Sequence, residues 1–131
     1  MNALEGIRIV DLSTAYSAPI GTMQLGDFGA DVIKVENTGL GDGSRTWNPF
    51  MPYGESMAYL YINRNKRSIA LNLKSEEGKK VLFELVKTAD VVVENFRPGV
   101  ATKLGVDYEA MKAVKPDIIM ASLSGYGQTG P

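Results

Sequence analysis

The stretch from Gly6 to Glu36 limits the fold more than any other. Gly6-Ile7-Arg8-Ile9-Val10-Asp11-Leu12 is short and rich in β-branched residues, which suits a strand. Ser13 to Ala18 follows as a loop of small residues. Pro19 fits the first turn of a helix, where its missing N–H has no partner to lose. The helix runs to about Phe28, Gly29 stops it, and Ile20, Met23 and Leu25 form its buried side. Ala30-Asp31-Val32-Ile33-Lys34-Val35-Glu36 is a second strand. Strand, helix and strand within roughly 30 residues make a βαβ unit, which requires a parallel pair and a right-handed crossover. This is the opening of a Rossmann-type half.

Its usual ligand is not implied. The first strand-to-helix loop lacks G-x-G-x-x-G, and Gly26-Asp27-Phe28-Gly29 lies at the wrong end of the helix to cradle a pyrophosphate. Glu36 stands where a ribose-binding acid would end the second strand, but without the glycines the match is weak.

Asn37 to Tyr59 is long and irregular, with four glycines and two prolines among Trp47, Phe50, Met51 and Tyr53. That is too apolar for a flexible linker, so it is expected to be an ordered excursion covering a cleft or an interface. Asn63-Arg64-Asn65-Lys66-Arg67 follows, then Ser68 to Lys74, whose alternation predicts a strand with Ile69, Leu71 and Leu73 on one face. Ser75 caps a helix that begins Glu76-Glu77 and buries Val81, Leu82, Leu85 and Val86.

Asp90-Val91-Val92-Val93-Glu94-Asn95-Phe96-Arg97-Pro98-Gly99 reads as a buried strand that turns abruptly polar. Asn95, Phe96 and Arg97 then occupy the carboxyl end of a strand, where open α/β sheets bind ligands. A core strand running into an ordinary turn fits the same residues. Val100 to Leu104 predicts a short helix closed by Gly105, and Asp107 caps another from Tyr108 to Val114. Asp117 to Leu123 is the last strand. It runs into Ser124-Gly125-Tyr126-Gly127-Gln128-Thr129-Gly130-Pro131, and a glycine-rich loop past a buried strand ordinarily feeds another element, so the chain reads as part of a larger domain.

At 131 residues there is about one domain's worth of chain. A net charge of -1 suggests no nucleic-acid partner. Without cysteine or histidine, a Ser-His-Asp triad, thiolate zinc sites and imidazole ligands are excluded from these residues, leaving no expected metal site. No signal peptide and no apolar stretch of about 20 residues is seen, which predicts a cytoplasmic protein without a membrane partner.

Four stretches carry a resemblance: Leu25 to Glu36, Asn63 to Ile69, Ala89 to Gly99 and Ser124 to Pro131. In order and spacing the chain resembles the amino-terminal part of the class III coenzyme A transferases, the formyl-CoA and carnitine CoA-transferase type, whose wider family includes 2-methylacyl-CoA racemases. The resemblance implies a Rossmann-like three-layer α/β domain with a mainly parallel sheet, the truncated amino-terminal portion of a two-domain, interlocked-dimer fold. Residues 1–131 would be part of the CoA-binding large domain, with the small domain absent.

Such transferases move CoA between carboxylic acids through an acyl-aspartyl anhydride, a nucleophilic mechanism. The resemblance places that aspartate beyond Pro131, so no catalytic residue is expected here and the fragment alone is expected to be inactive. The alternatives are an acyl-CoA racemase, which abstracts the α-proton, and a fragment that at most binds CoA. The partners implied are an acyl-CoA, a small carboxylic acid and a second copy in a homodimer, with no covalently bound cofactor.

The same resemblance marks CoA-binding positions. Tyr16 and Ser17 would approach the thiol end, and Leu71, Asn72, Leu73 and Lys74 would follow the nucleotide, with Lys74 on a phosphate. Asn95 would hydrogen-bond the pantetheine region, Phe96 would pack on the arm, and Arg97 belongs to the same contact. Lys103 stands where relatives carry a phosphate-binding arginine, and Tyr126 would sit near the reacting centre. Asn37 departs from a cation seen in some transferases, leaving Arg45 or the 63–67 cluster to compensate. Glu94 is expected to pair with a neighbouring cation, and Lys74, Lys103 and Tyr126 also suit plain surface or packing roles.

Overall fold

The computed structural model describes residues 2–130. Five strands form one sheet: β1 (Arg8–Asp11), β2 (Asp31–Glu36), β3 (Lys66–Ala70), β4 (Val91–Glu94) and β5 (Ile119–Ser122). Their order is β3-β2-β1-β4-β5 and every neighbouring pair is parallel. Five helices connect them: α1 (Ser17–Asp27), α2 (Met57–Ile62), α3 (Glu76–Lys87), α4 (Val100–Leu104) and α5 (Tyr108–Val114).

The two faces of the sheet are buried differently. Ile9, Val32 and Val93 pack with Ala18 of α1 on one side. Val10, Val35 and Val92 alternate to the other side, against Leu82 and Val86 of α3 and Met111 of α5. Such three-layer packing explains why the central strands are almost continuously apolar. The chain winds outward from β1 through β2 to β3, then returns to β4 and winds the opposite way. The loops after β1 and β4 therefore diverge at a topological switch point, the usual ligand position in an open α/β sheet.

Several boundaries differ from expectation. β3 spans Lys66–Ala70, starting two residues and ending four residues earlier than the alternation implied, and Leu71 to Lys74 connect it to α3 through a turn at Leu73 and Lys74. Leu71 and Leu73 keep their alternating burial there because they pack on the core beside α3, not because they pair in a strand. α1 starts at Ser17 and buries Ala18, Pro19, Thr22 and Met23, so Ile20 and Leu25 are not its main buried side. In α3 the buried residues are Gly78, Leu82 and Val86, while Val81 is 42% exposed. The 37–59 excursion contains a 3-10 turn at Gly43–Thr46 and the first half of α2, a helix not foreseen. Ser56 caps it by accepting from the Tyr59 N–H (3.3 Å), and Met57 to Ile62 contain neither glycine nor proline.

Other local signals coincide with the structure. Ser75 Oγ accepts from the Gly78 N–H (3.1 Å), and Asp107 Oδ1 accepts from the Ala110 N–H (3.1 Å). Gly105 closes α4 at φ +70, which a β-carbon would oppose. Among the described residues, no helix is long and apolar enough to cross a membrane.

Candidate functional site

Among the described residues, four grooves open along the carboxyl edge of the sheet, and three of them gather sequence-derived candidates. The first, about 240 Å³, is walled by Leu12 and Thr14 after β1, Val35 to Thr38 after β2, Leu71 to Lys74 after β3, and Phe96 and Leu104. Its floor is apolar and its rim is polar. The second, about 470 Å³, continues from it and shares Leu73, Lys74 and Leu104, adding Lys79, Val100 and Lys103. The third, about 350 Å³, lies between Asn95 to Pro98 and the loop of Ser124 to Gly127, with Gly130.

The sequence-derived candidates divide among these grooves. Leu71, Asn72, Leu73, Lys74 and Phe96 meet in the first, and Lys74 and Lys103 face the second. Asn95, Phe96, Arg97 and Tyr126 meet in the third, where the buried Ser124 Oγ has no hydrogen-bond partner among the described residues. Tyr16 and Ser17 line none of the three; the Tyr16 ring stands 6.4 Å from that of Trp47. Lys79 was not singled out by the sequence, although it lies one helical step beyond Ser75 and beside the 71–74 turn. It pairs with Glu76 (2.6 Å), whereas Lys74 and Lys103 have no carboxylate partner among the described residues.

The turn that carries Lys74 owes its position to one glycine. Asn72 Oδ1 accepts from the Lys74 N–H (3.1 Å), and the Asn72 carbonyl accepts from Ser75. Gly78 of α3 lies directly against the Asn72 backbone, and a β-carbon there would overlap its carbonyl. Only a glycine lets the turn rest on the helix and aim Leu73 and Lys74 into the grooves.

Asn95 is less available than expected. Its Oδ1 accepts from the Thr14 N–H (2.8 Å) and its Nδ2 donates to the Thr14 carbonyl (2.8 Å), so the amide clamps the loops after β1 and β4 together. One N–H and one lone pair remain for a ligand. Glu94 has no cation partner among the described residues; its Oε2 accepts from the Phe96 N–H (2.6 Å) and so holds the turn beneath Phe96.

The supposed compensating cations are also committed. Arg45 donates to Glu36 through Nε (2.7 Å) and Nη2 (2.9 Å) and lies 3.7 Å over the Tyr59 ring. Arg64 pairs with Asp27 (2.5 Å), Arg67 with Asp31 (2.7 Å) and Lys66 with Asp11 (3.0 Å). None of these lines the first two grooves. Nor is Glu36 a ribose acceptor, since Tyr59, Ser68 and the Asp42 N–H also donate to it.

Burial opposes ionisation of Glu36, but the donors from Arg45, Ser68, Asp42 and Tyr59 outweigh it and hold its carboxyl well below the usual range. Burial likewise opposes ionisation of Asp42, and Lys34 and Ser44 reverse it, again lowering the carboxyl. Both contributions to stability are complete above the ordinary carboxylate range and are lost as pH falls through the lower folded values. Between the two values the unfolded state binds more protons, so stability falls by up to about 1.4 kcal/mol per pH unit for each group. Urea unfolding from pH 6 to pH 3 is expected to show this decline, and Glu36→Gln to make it shallower. An unchanged slope in that variant would contradict the assignment.

An apolar slot running into a groove with unpaired lysines suits an anionic ligand with an apolar or planar part: hydrogen bonds and packing hold one end, cations the other. Together with the 3-2-1-4-5 parallel order, this defines a Rossmann-type binding domain. The chain belongs to CoA-transferase family III, whose family model matches residues 4–131. It is 50% identical over 128 residues to succinyl-CoA:glutarate CoA-transferase of Homo sapiens, covering 98% of this chain and 29% of the relative. Identity to acetyl-CoA:oxalate CoA-transferase of Acetobacter aceti is 45% over 127 residues, covering 97% and 32%. A solved structure of a CAIB/BAIF family protein from Brucella suis superposes with a TM-score of 0.90 at 43% identity, over 100% of this chain and 36% of that one. The chain thus spans about a third of the length of the relatives it matches.

Proposed function

We propose that these residues are the amino-terminal part of the large domain of a CoA-transferase, and that they hold CoA while an aspartate elsewhere forms the acyl-aspartyl anhydride. The observation that carries this is the continuity of the apolar first groove with the lysine-lined second groove. Leu71, Leu73 and Phe96 receive the apolar parts of the ligand. Lys74 and Lys103, with Lys79 behind them, receive phosphate. Lysine supplies charge there without the bidentate fork of arginine.

In this reading Asn95 acts first as a clamp and offers only its remaining N–H to the pantetheine arm. Tyr16 and Ser17 lie at the thiol end, and Arg97 and Tyr126 border the acyl side along the third groove. The acceptor is a small carboxylic acid, a dicarboxylate by analogy with the glutarate and oxalate in the relatives' names. Residues 1–131 alone catalyse no transfer. The exposed Trp47, Phe50, Tyr53 and Tyr61 supply apolar surface for the rest of a homodimer to cover.

The test is an assay of the full-length protein with an acyl-CoA and a free dicarboxylate, followed by chromatography of the thioesters. The expected result is a new acyl-CoA formed in step with loss of the first. If the thioester keeps its acyl group while the α-carbon exchanges its proton, the protein is a racemase and the transferase reading fails.

A further inference from the structure

Beneath the first loop lie four buried ionised side chains that touch none of the CoA grooves. Lys34 Nζ pairs with Asp42 (2.7 Å) and Lys66 Nζ with Asp11 (3.0 Å), and the four side chains are 0–1% exposed. Buried ion pairs are weak contributors to stability when compared with well-packed apolar residues. What these groups do visibly is fix backbone. Lys34 Nζ donates to the Ser13 carbonyl (2.8 Å), Asp11 accepts from the Ser13 N–H (2.9 Å), and both Asp42 oxygens accept from the Ala15 N–H (3.2 Å each). The Leu12 N–H bonds Val93, and Asn95 takes Thr14. Every N–H from Leu12 to Ala15 is thereby claimed.

Ala15 is the bend in this loop. Its φ is +66, a left-handed conformation that an L-alanine rarely adopts. Non-glycine residues held this way persist only where their surroundings impose it, and they cluster at functional sites. Asp42 imposes it here. It arrives from the long excursion and is itself fixed by the Ser44 N–H (2.8 Å) and by its own N–H on Glu36 (2.8 Å).

We propose that Asp42 is a positioning residue: by holding the loop bent at Ala15, it sets Tyr16, Ser17 and the start of α1 beside the Thr14 wall of the first groove. The consequence for turnover rests on the CoA-transferase reading; the consequence for the loop does not. The excursion then serves the reaction through a carboxylate that touches no substrate.

Two readouts test this on the full-length protein: kcat and KM for acyl-CoA, and hydrogen exchange of the 12–17 backbone. Asp42→Asn removes the charge that holds the bend. Ala15→Val opposes the bend directly while leaving the Lys34–Asp42 pair intact, which guards against a misfolded Asp42 variant. Both are expected to lower kcat about 10–100-fold with a smaller change in KM, as small misplacements of a substrate-positioning element do. Both should speed exchange at 12–17. Adding Ala15→Gly to Asp42→Asn should recover most of the lost kcat, because glycine holds φ +66 without help. Wild-type exchange and kcat in Ala15→Val, or no recovery in a glycine double variant shown by urea unfolding to be folded, would overturn the proposal. Faster exchange in a protein that transfers no CoA would uphold the positioning of the loop and reject the transferase reading instead.

Discussion

Replacing Lys34 by methionine is expected to destabilise the fold by about 3–5 kcal/mol, the usual cost of removing one partner of a buried pair. Lysine 34 lies in the second strand with its side chain 1% exposed, and its ammonium reaches Asp42 and the Ser13 carbonyl. Methionine fills the path of the stem but supplies no donor. The Asp42 carboxylate then keeps the Ser44 N–H and hydroxyl and the Ala15 N–H, yet loses the cation paired directly with it. Urea unfolding measures the loss. Lys87→Met is the control: its pair with Glu84 is solvent-exposed, and its removal should change stability by no more than about 0.5 kcal/mol. A Lys34→Met variant within about 1 kcal/mol of wild type would show that the pair is not buried as described.

Gly78→Ala should have the next largest effect. Alanine normally strengthens a helix interior relative to glycine by up to about 1 kcal/mol. Here the added carbon meets the Asn72 backbone, so the 71–74 turn or α3 must shift. Overpacking of this kind costs about 1–3 kcal/mol, and rather more when backbone must move. The net expectation is a loss of about 1–2 kcal/mol in urea unfolding and, on the proposed reading of the grooves, weaker CoA binding, because Leu73 and Lys74 travel with the turn. Gly21→Ala in α1 has open space around the new carbon and should be neutral or stabilising. A neutral Gly78→Ala would mean that the turn does not depend on this contact.

The parts of the fold that can be read from the sequence are those where local chemistry and tertiary packing agree. The β-branched runs of β1, β2 and β4, the Ser75 and Asp107 caps and the Gly105 stop each carry their own reason. β3 was misplaced because Leu71 and Leu73 continue a strand-like alternation through a turn. The first turn of α2 was hidden by the glycines and prolines before it. Lys34 and Lys66 could not be recognised as interior, since lysine is among the least buried residues and only the fold brings Asp11 and Asp42 to them. At the candidate site, Leu71 to Lys74, Phe96 and Lys103 were proposed through resemblance, and they line two adjoining grooves. The clamp made by Asn95, the turn-holding role of Glu94 and the third lysine at position 79 depend on contacts between loops distant in sequence.

Calorimetric titration of CoA into the full-length protein and into a Lys74→Ala/Lys103→Ala variant tests most directly whether these grooves hold CoA. Each charge-assisted hydrogen bond to phosphate contributes about 1.5–3 kcal/mol, so the variant should bind more weakly by at least about 100-fold, with its fold unchanged because both lysines are exposed. Indistinguishable heats for the two proteins would place CoA elsewhere.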